Sequence, residues 1–275
     1  MTARRAAVLV VAVLVLLAGC TDGSGPAAPG GGSGGGGGAD GGDGGGGSDG
    51  GDGTGTDGFA AADREQALRE AGSFTATWRY SGTDYEGERG EMTVRHMVDL
   101  VGERSLTSWE SSDGAETEGW QQFHADGVTY SRYGSGEETV YTSTAGDTDF
   151  VATSLAYGGL YDAADTDGLV ARGQETFDGV PVTRYEFTEG TSLAWMAAAA
   201  GGAGGTDPEA LRELDWTYTV LVDGDGLARQ ETWGWSGTTN DGRAVSFQAE
   251  YSITGVGSTA VADPAWLAAA EEASR

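Results

Sequence analysis

From Phe74 onward the chain alternates apolar and polar positions with a period of two. Phe74, Ala76, Trp78 and Tyr80 are separated by Thr75, Thr77 and Arg79. Met92, Val94, His96, Val98 and Leu100 form the next alternating set. Successive side chains of a strand point to opposite faces, so this period predicts half-buried β-strands. Arg104–Ser111 and Glu118–Ala125 continue the series, with Trp109, Trp120 and Phe123 inside them. Asp126-Gly127 is a hairpin signal leading into Val128–Tyr133. A second turn at Gly134–Gly136 leads into Thr139–Thr142. Six short strands joined in this way predict an antiparallel meander. Leu169–Phe177 and Pro181–Thr188, hinged at Asp178-Gly179, predict a further hairpin. Three strands close the series. The first carries Trp216, Tyr218, Val220 and Val222 on one face; the second, Leu227–Trp235, has Trp233 and Trp235 on one side; the third carries Val245, Phe247, Ala249, Tyr251 and Ile253.

Helical spacing interrupts this pattern. Phe59–Ala71 reads as a short amphipathic helix ended by Gly72. Phe150–Ala164 and Ser192–Ala200 are apolar enough for helices, the second ending at Gly201-Gly202. Pro208–Leu214 predicts one or two helical turns, with Pro208 at the first position. A last helix starts at Pro264 and carries Trp266 and Leu267. Runs of strands separated by helices predict an α+β fold with an antiparallel sheet. About eleven strands in one sheet tend to curl. Helices on the concave side would make a half-barrel with an apolar interior. Trp78, Tyr80, Trp109, Trp120, Trp216, Tyr218, Trp233 and Trp235 are then candidates to line a hydrophobic ligand cavity. The alternative for each is plain sheet core, where aromatic residues are common.

The N-terminal quarter has a different composition. Arg4 and Arg5 precede an apolar run from Ala6 to Ala18, the layout of a secretory signal peptide. The arginine pair fits either an ordinary basic n-region or a twin-arginine export signal. The run ends in Leu17-Ala18-Gly19-Cys20, which resembles the lipobox of prokaryotic lipoproteins. That motif implies cleavage before Cys20 and a lipid on its sulfur. Residues 23–58 then hold 21 glycines among 36 positions. Such a segment has almost nothing to bury and reads as a flexible tether. The expected organisation is a lipoprotein signal peptide over 1–19, lipidated Cys20 and linker over 20–58, and a folded domain over 59–275. Cell-membrane anchoring on the outward face follows as the expected location.

Charge narrows the partners. There are 43 Asp and Glu against 15 basic residues, all arginine, and the sequence pI is near 4.1. Nucleic acid binding depends on basic residues neutralising phosphates, so nucleic acid is not expected. The single cysteine excludes an intrachain disulfide framework and a multi-cysteine metal site. Asp223-Gly224-Asp225-Gly226 starts like a calcium loop, but the position that should hold glutamate is Gly234, so a hairpin turn is the better reading. His96 lies on an alternating apolar face, and His124 precedes a turn and reads as a surface residue. The strand-rich domain holds no G-x-S-x-G elbow. Neither catalytic residues nor a cofactor or metal is expected.

Segments such as Trp120–Tyr133, Asp178–Phe187, Val222–Arg229 and Tyr251–Gly257 have a strand-turn-strand texture that resembles the LolA/LppX-like lipoproteins and carriers. With the lipobox, tether and acidity, the chain looks most like an uncharacterised lipoprotein family of halophilic archaea. The resemblance implies a curved antiparallel sheet with helices plugging its open side, and a lipid or acyl ligand held between them. It supplies no catalytic residues. Carriers of that fold that shuttle lipoproteins are themselves soluble, so an anchored chain implies local ligand binding rather than shuttling. A cell-surface structural or protein-interaction module with a filled core is the alternative, with its protein partner unknown, and a hydrolase is a remote one.

Overall fold

A computed structural model describes residues 63–84, 86–112, 117–134, 136–156, 169–187 and 211–275. The chain divides into two units, Met1–Gly55 and Thr56–Arg275, and every described residue lies in the second. The signal peptide, the lipobox with Cys20, the tether and the helix expected at Ser192–Ala200 lie outside the described residues.

Eleven strands form a single antiparallel sheet. They are β1 (Ser73–Thr83), β2 (Arg89–Asp99), β3 (Arg104–Ser112), β4 (Thr117–Ala125), β5 (Val128–Tyr133) and β6 (Val140–Ala145) in the first half. The second half has β7 (Leu169–Phe177), β8 (Val180–Phe187), β9 (Leu211–Asp223), β10 (Ala228–Thr239) and β11 (Ala244–Thr254). The spatial order is β6-β5-β4-β3-β2-β1-β11-β10-β9-β8-β7. Two meanders are thus fused where β1 pairs with β11, with Trp78 opposite Tyr251. The sheet is open and curved, with β6 and β7 at its edges. Asp126-Gly127 (φ 53° and 70°) and Asp178-Gly179 (φ 51° and 76°) both adopt the left-handed conformations of a tight two-residue hairpin. Asp223 Oδ1 accepts from the Asp225 and Leu227 N–H groups and closes the β9–β10 turn, which accounts for the Asp-Gly-Asp-Gly run.

The helices are α1 (Arg64–Ala71), α2 (Phe150–Leu155) and α3 (Leu267–Ala273). Asp63 caps α1 by accepting from the Gln66 N–H, and Gly72, left-handed at φ 73°, ends it. Asp149 caps α2 through the Val151 and Ala152 N–H groups and also receives Arg69 of α1 at 2.7 Å. The Ala152 N–H, reinforced by Arg69, holds the Asp149 carboxyl below the usual carboxylate range. Leu68, Phe150 and Val151 drop onto Phe74, Ala76, Val98, Tyr251 and Ile253 and fill one end of a sheet face, called here the helix face. Arg64 reaches into this face and pairs with Glu231 of β10, both side chains being almost wholly buried.

Helix α3 packs elsewhere. Its main contacts are with β5 and β6. Trp266 just ahead of it donates its indole N–H to Gln121 Oε1 at 2.6 Å and stacks on Tyr141. Gln121 pairs with Ser108, whereas its neighbour Gln122 pairs with Thr107, which lies in line with His96 of the helix face. Alternation therefore puts Gln121 and Tyr141, and α3 with them, on the opposite face. There Phe123 is fully buried, with the Arg104 guanidinium over its ring and Arg104 paired to Asp263.

Two further expectations are corrected. The helical turns expected over Pro208–Leu214 are overturned from Leu211 onward, because β9 already begins there. A register shift with β10 and a left-handed Glu213 (φ 54°) accommodate the irregular start as a bulge. His124 is a buried residue on the helix face, hydrogen-bonded to Thr129 Oγ1 at 2.9 Å and edge-on to Phe150, and not a surface turn residue.

Candidate functional site: an aromatic face of the sheet

Strand register decides which aromatic side chains can meet. Trp78 is opposite Val94 on β2 and Tyr251 on β11. Val94 is opposite Trp109, Trp109 opposite Trp120, and Trp120 opposite Tyr133. On the other side, Tyr251 is opposite Glu231, Ala249 opposite Trp233, and Phe247 opposite Trp235. Trp233 and Trp235 are in turn opposite Tyr218 and Trp216. All eight aromatic residues singled out from the alternation therefore share the helix face.

They do not form one uniform patch. Trp78, Tyr80, Trp216, Tyr218, Trp233 and Trp235 gather with Phe247, Tyr185, Phe187 and Leu169 in one apolar cluster across β1 and β7–β11. Trp233 lies 4.4 Å from Phe247, ring centre to ring centre, and Trp216 lies 6.3 Å from Trp235. Trp109 and Trp120 lie apart on β3 and β4, in a row that becomes more exposed toward the β6 edge. Trp109 is 9% exposed, Tyr133 41% and Val140 56%. Phe247, Tyr185 and Phe187 were absent from the sequence-derived site, although they alternate in phase with their strands. Their membership depends on pairing between strands, which one strand's pattern does not reveal.

The helix face is tightly filled where α1 and α2 cover it. The void there is about 160 Å³, lined by Ala76, Trp78, Val94, His96, Ser154 and Tyr251, and none of it is wide enough for a water molecule. The opposite face carries a larger groove of about 430 Å³, lined mainly by hydroxyl, amide and charged groups such as Ser81, Thr83, Arg89, Glu91, Asp215 and Gln248, with Trp235 and Phe247 also bordering it. Its polar lining is the solvent side of the same alternation.

A serine–histidine pair occurs beside the smaller void. Ser154 Oγ lies 2.8 Å from both the Phe150 carbonyl oxygen and His96 Nδ1. The carbonyl can only accept, so the single hydroxyl proton goes to Phe150 and Nδ1–H of neutral His96 donates to Ser154. A histidine that donates to a serine cannot act as its general base. His96 is 2% exposed, and burial lowers its pKa to about 4. The Tyr251 hydroxyl donates to the Ser154 carbonyl at 3.3 Å, so the group ties α2 to the sheet.

Over residues 5–270 the chain matches a family described as "Family of unknown function (DUF7537)". No curated protein matches it. It is similar to several solved structures at low identity. MucB in complex with MucA(peri) is 17% identical over 78% of this chain and 60% of that one, with a TM-score of 0.27. LprF from Mycobacterium bovis is 10% identical over 74% of this chain and 96% of that one, with a TM-score of 0.34. A LolA superfamily protein from Nitrosomonas europaea is 10% identical over the same shares, with a TM-score of 0.21.

Proposed function

The chain belongs to DUF7537, a family of unknown function, and from that premise we propose that it is a non-enzymatic binding protein for a lipid or other apolar ligand seated on the aromatic face of its sheet. The observation that carries this reading is the convergence of all eight aromatic residues on one face. On the sheet, α1 and α2 rest chiefly on β1 and β2, and α1 reaches β10 through the Arg64–Glu231 pair. Stacked aromatic side chains bind apolar matter well because each offers a large area at low conformational cost. The row from Trp109 out to Tyr133 and Val140 adds apolar surface that is exposed at the β6 edge. Native mass spectrometry of protein purified without detergent tests the reading. Adducts with the masses of lipids are expected, and bare protein only would contradict it.

The protein is further proposed to be held outside the cell by a lipid on Cys20, as a LolA/LppX-like lipoprotein of a salt-adapted archaeon. Its support is the Leu17-Ala18-Gly19-Cys20 motif after an apolar run. A glycine-rich tether of 36 residues would hold the domain on the order of 30–35 Å from the anchor. Cys20→Ser should move the protein from the membrane to the soluble fraction, and a variant that stays in the membrane would refute the anchor. A second reading is an interaction module with a filled core, favoured by the close ring contacts of the aromatic cluster. Crosslinking in whole cells should then capture one recurrent protein partner, with no lipid co-purifying.

A further inference from the structure

The tryptophans of the aromatic face differ from Trp266 in one respect. Trp266 gives its indole N–H to Gln121. The indole N–H groups of Trp216, Trp233, Trp235 and Trp109 are buried, and among the described residues none meets an acceptor. Trp233 is 6% exposed, Trp235 8% and Trp109 9%. Three of the four, those of Trp216, Trp233 and Trp235, belong to one cluster around Phe247. An indole N–H can only donate, and leaving it unpaired in an apolar setting is costly, so buried donors are nearly always paired. Several such donors on one face mark a place where acceptor atoms are supplied from outside these strands.

The surroundings restrict the acceptor. A buried water needs two to four polar partners. Around Trp233 and Trp235 the neighbours Phe247, Val245 and Ala249 offer no polar side-chain group, and Tyr218 opposite Trp233 brings a hydroxyl. A ligand oxygen held by its own covalent bonds needs only the N–H. A charged acceptor is disfavoured as well, since Arg64, the cation that α1 brings to this face, is engaged by Glu231. We propose that the ligand of the aromatic face carries uncharged acceptor oxygens, of the ester or ether kind, which receive the indole N–H groups of Trp216, Trp233 and Trp235. This deepens the apolar-ligand reading and rests on it. The ligand is then a lipid bound at its linkage region, not a plain hydrocarbon.

The test compares methyl dodecanoate with tetradecane, matched in chain length, against the full chain in molar salt. The indole N–H signals are followed by NMR with isotope-labelled tryptophan. The ester should bind about tenfold more tightly, as one to two net hydrogen bonds would give. It should also shift the signals of Trp216, Trp233 and Trp235. Trp233→Phe and Trp235→Phe keep an aromatic side chain, though a smaller one, and lose the indole donor. They should bring the ester and tetradecane affinities of each variant within about twofold of one another. Equal binding of both probes with unmoved indole signals would overturn the inference and leave the apolar-ligand reading standing. So would indole protons already bonded to water or to another part of the chain, unchanged when the ester is added. Failure of both probes to bind would remove the underlying reading, and the inference with it.

Discussion

His96 shows what burial does to a single residue. It donates to Ser154 from within the α2 contact, with Trp78 and Tyr251 lining the same void. Desolvation lowers its pKa from 6.5 to about 4. The unfolded chain therefore takes up a proton near pH 6.5 that the folded chain refuses until about pH 4. The stabilisation is complete above the unfolded pKa and is lost as pH falls toward the folded one. Across that window it amounts to roughly 3 kcal/mol. His96→Gln lacks this titration. The stability gap between the parent and the variant, from urea unfolding, should narrow by about 2 kcal/mol between about pH 7 and about pH 4.5, whereas a constant gap would contradict the buried neutral ring. The Arg64–Glu231 pair makes a second prediction. Its side chains are 6% and 3% exposed, with Arg64 also over the Tyr251 ring at 5.6 Å. Glu231→Ala alone should cost about 3–5 kcal/mol by removing the carboxylate that faces the buried guanidinium, while Arg64→Met with Glu231→Leu should cost far less. Equal losses would show that the pair itself, not the imbalance of buried charge, supplies the stability.

Among the elements, β10 is the most constrained by its neighbours. A Cβ on Gly234 would lie 2.5 Å from the Phe247 carbonyl oxygen and 3.2 Å from Gln248 Cα, both in the backbone of β11. Gly234→Ala should therefore push the two strands apart at the centre of the aromatic cluster and lower the urea midpoint by about 1–3 kcal/mol of stability. An unchanged midpoint would mean that β10 and β11 are less closely set than described. Strand existence was largely legible in the sequence, because alternation and Asp-Gly turns are local signals. Val128–Tyr133 and Leu169–Phe177 carry the same limits in both views. What failed was decided by distant partners. Leu211–Leu214 has helical propensity, yet pairing of Leu211 and Arg212 with β10 holds the segment extended. His124 sits next to a turn, yet α2 covers it. The C-terminal helix was visible, but an apolar stripe tells only that a helix packs, not which sheet face receives it. The same limit applies to the site. The eight aromatic positions were readable, whereas their convergence required the β1–β11 pairing that joins the two meanders.

For the whole molecule, charge sets the conditions under which the sheet holds together. Residues 59–275 contain 37 acidic residues against 13 arginines, a net of −24. Ion pairs such as Arg69–Glu65 and Arg79–Glu250 offset only a fraction of it. Self-repulsion of this size opposes the compact state at low ionic strength. In molar salt the screening length falls to about 3 Å, and the repulsion is removed. The melting temperature should rise steeply with sodium chloride into the molar range; a melting temperature indifferent to salt would contradict the proposed adaptation to brine. The central claim is that apolar ligand meets the aromatic face and not the polar groove behind it. Photocrosslinking with an acyl chain bearing a diazirine, read by peptide mass spectrometry, tests this most directly. The account predicts labels on the peptides of β1, β9 and β10, at Trp78, Trp216 or Trp233. Labels at Ser81, Thr83 and Gln248 of the opposite groove, or no label at all, would contradict it.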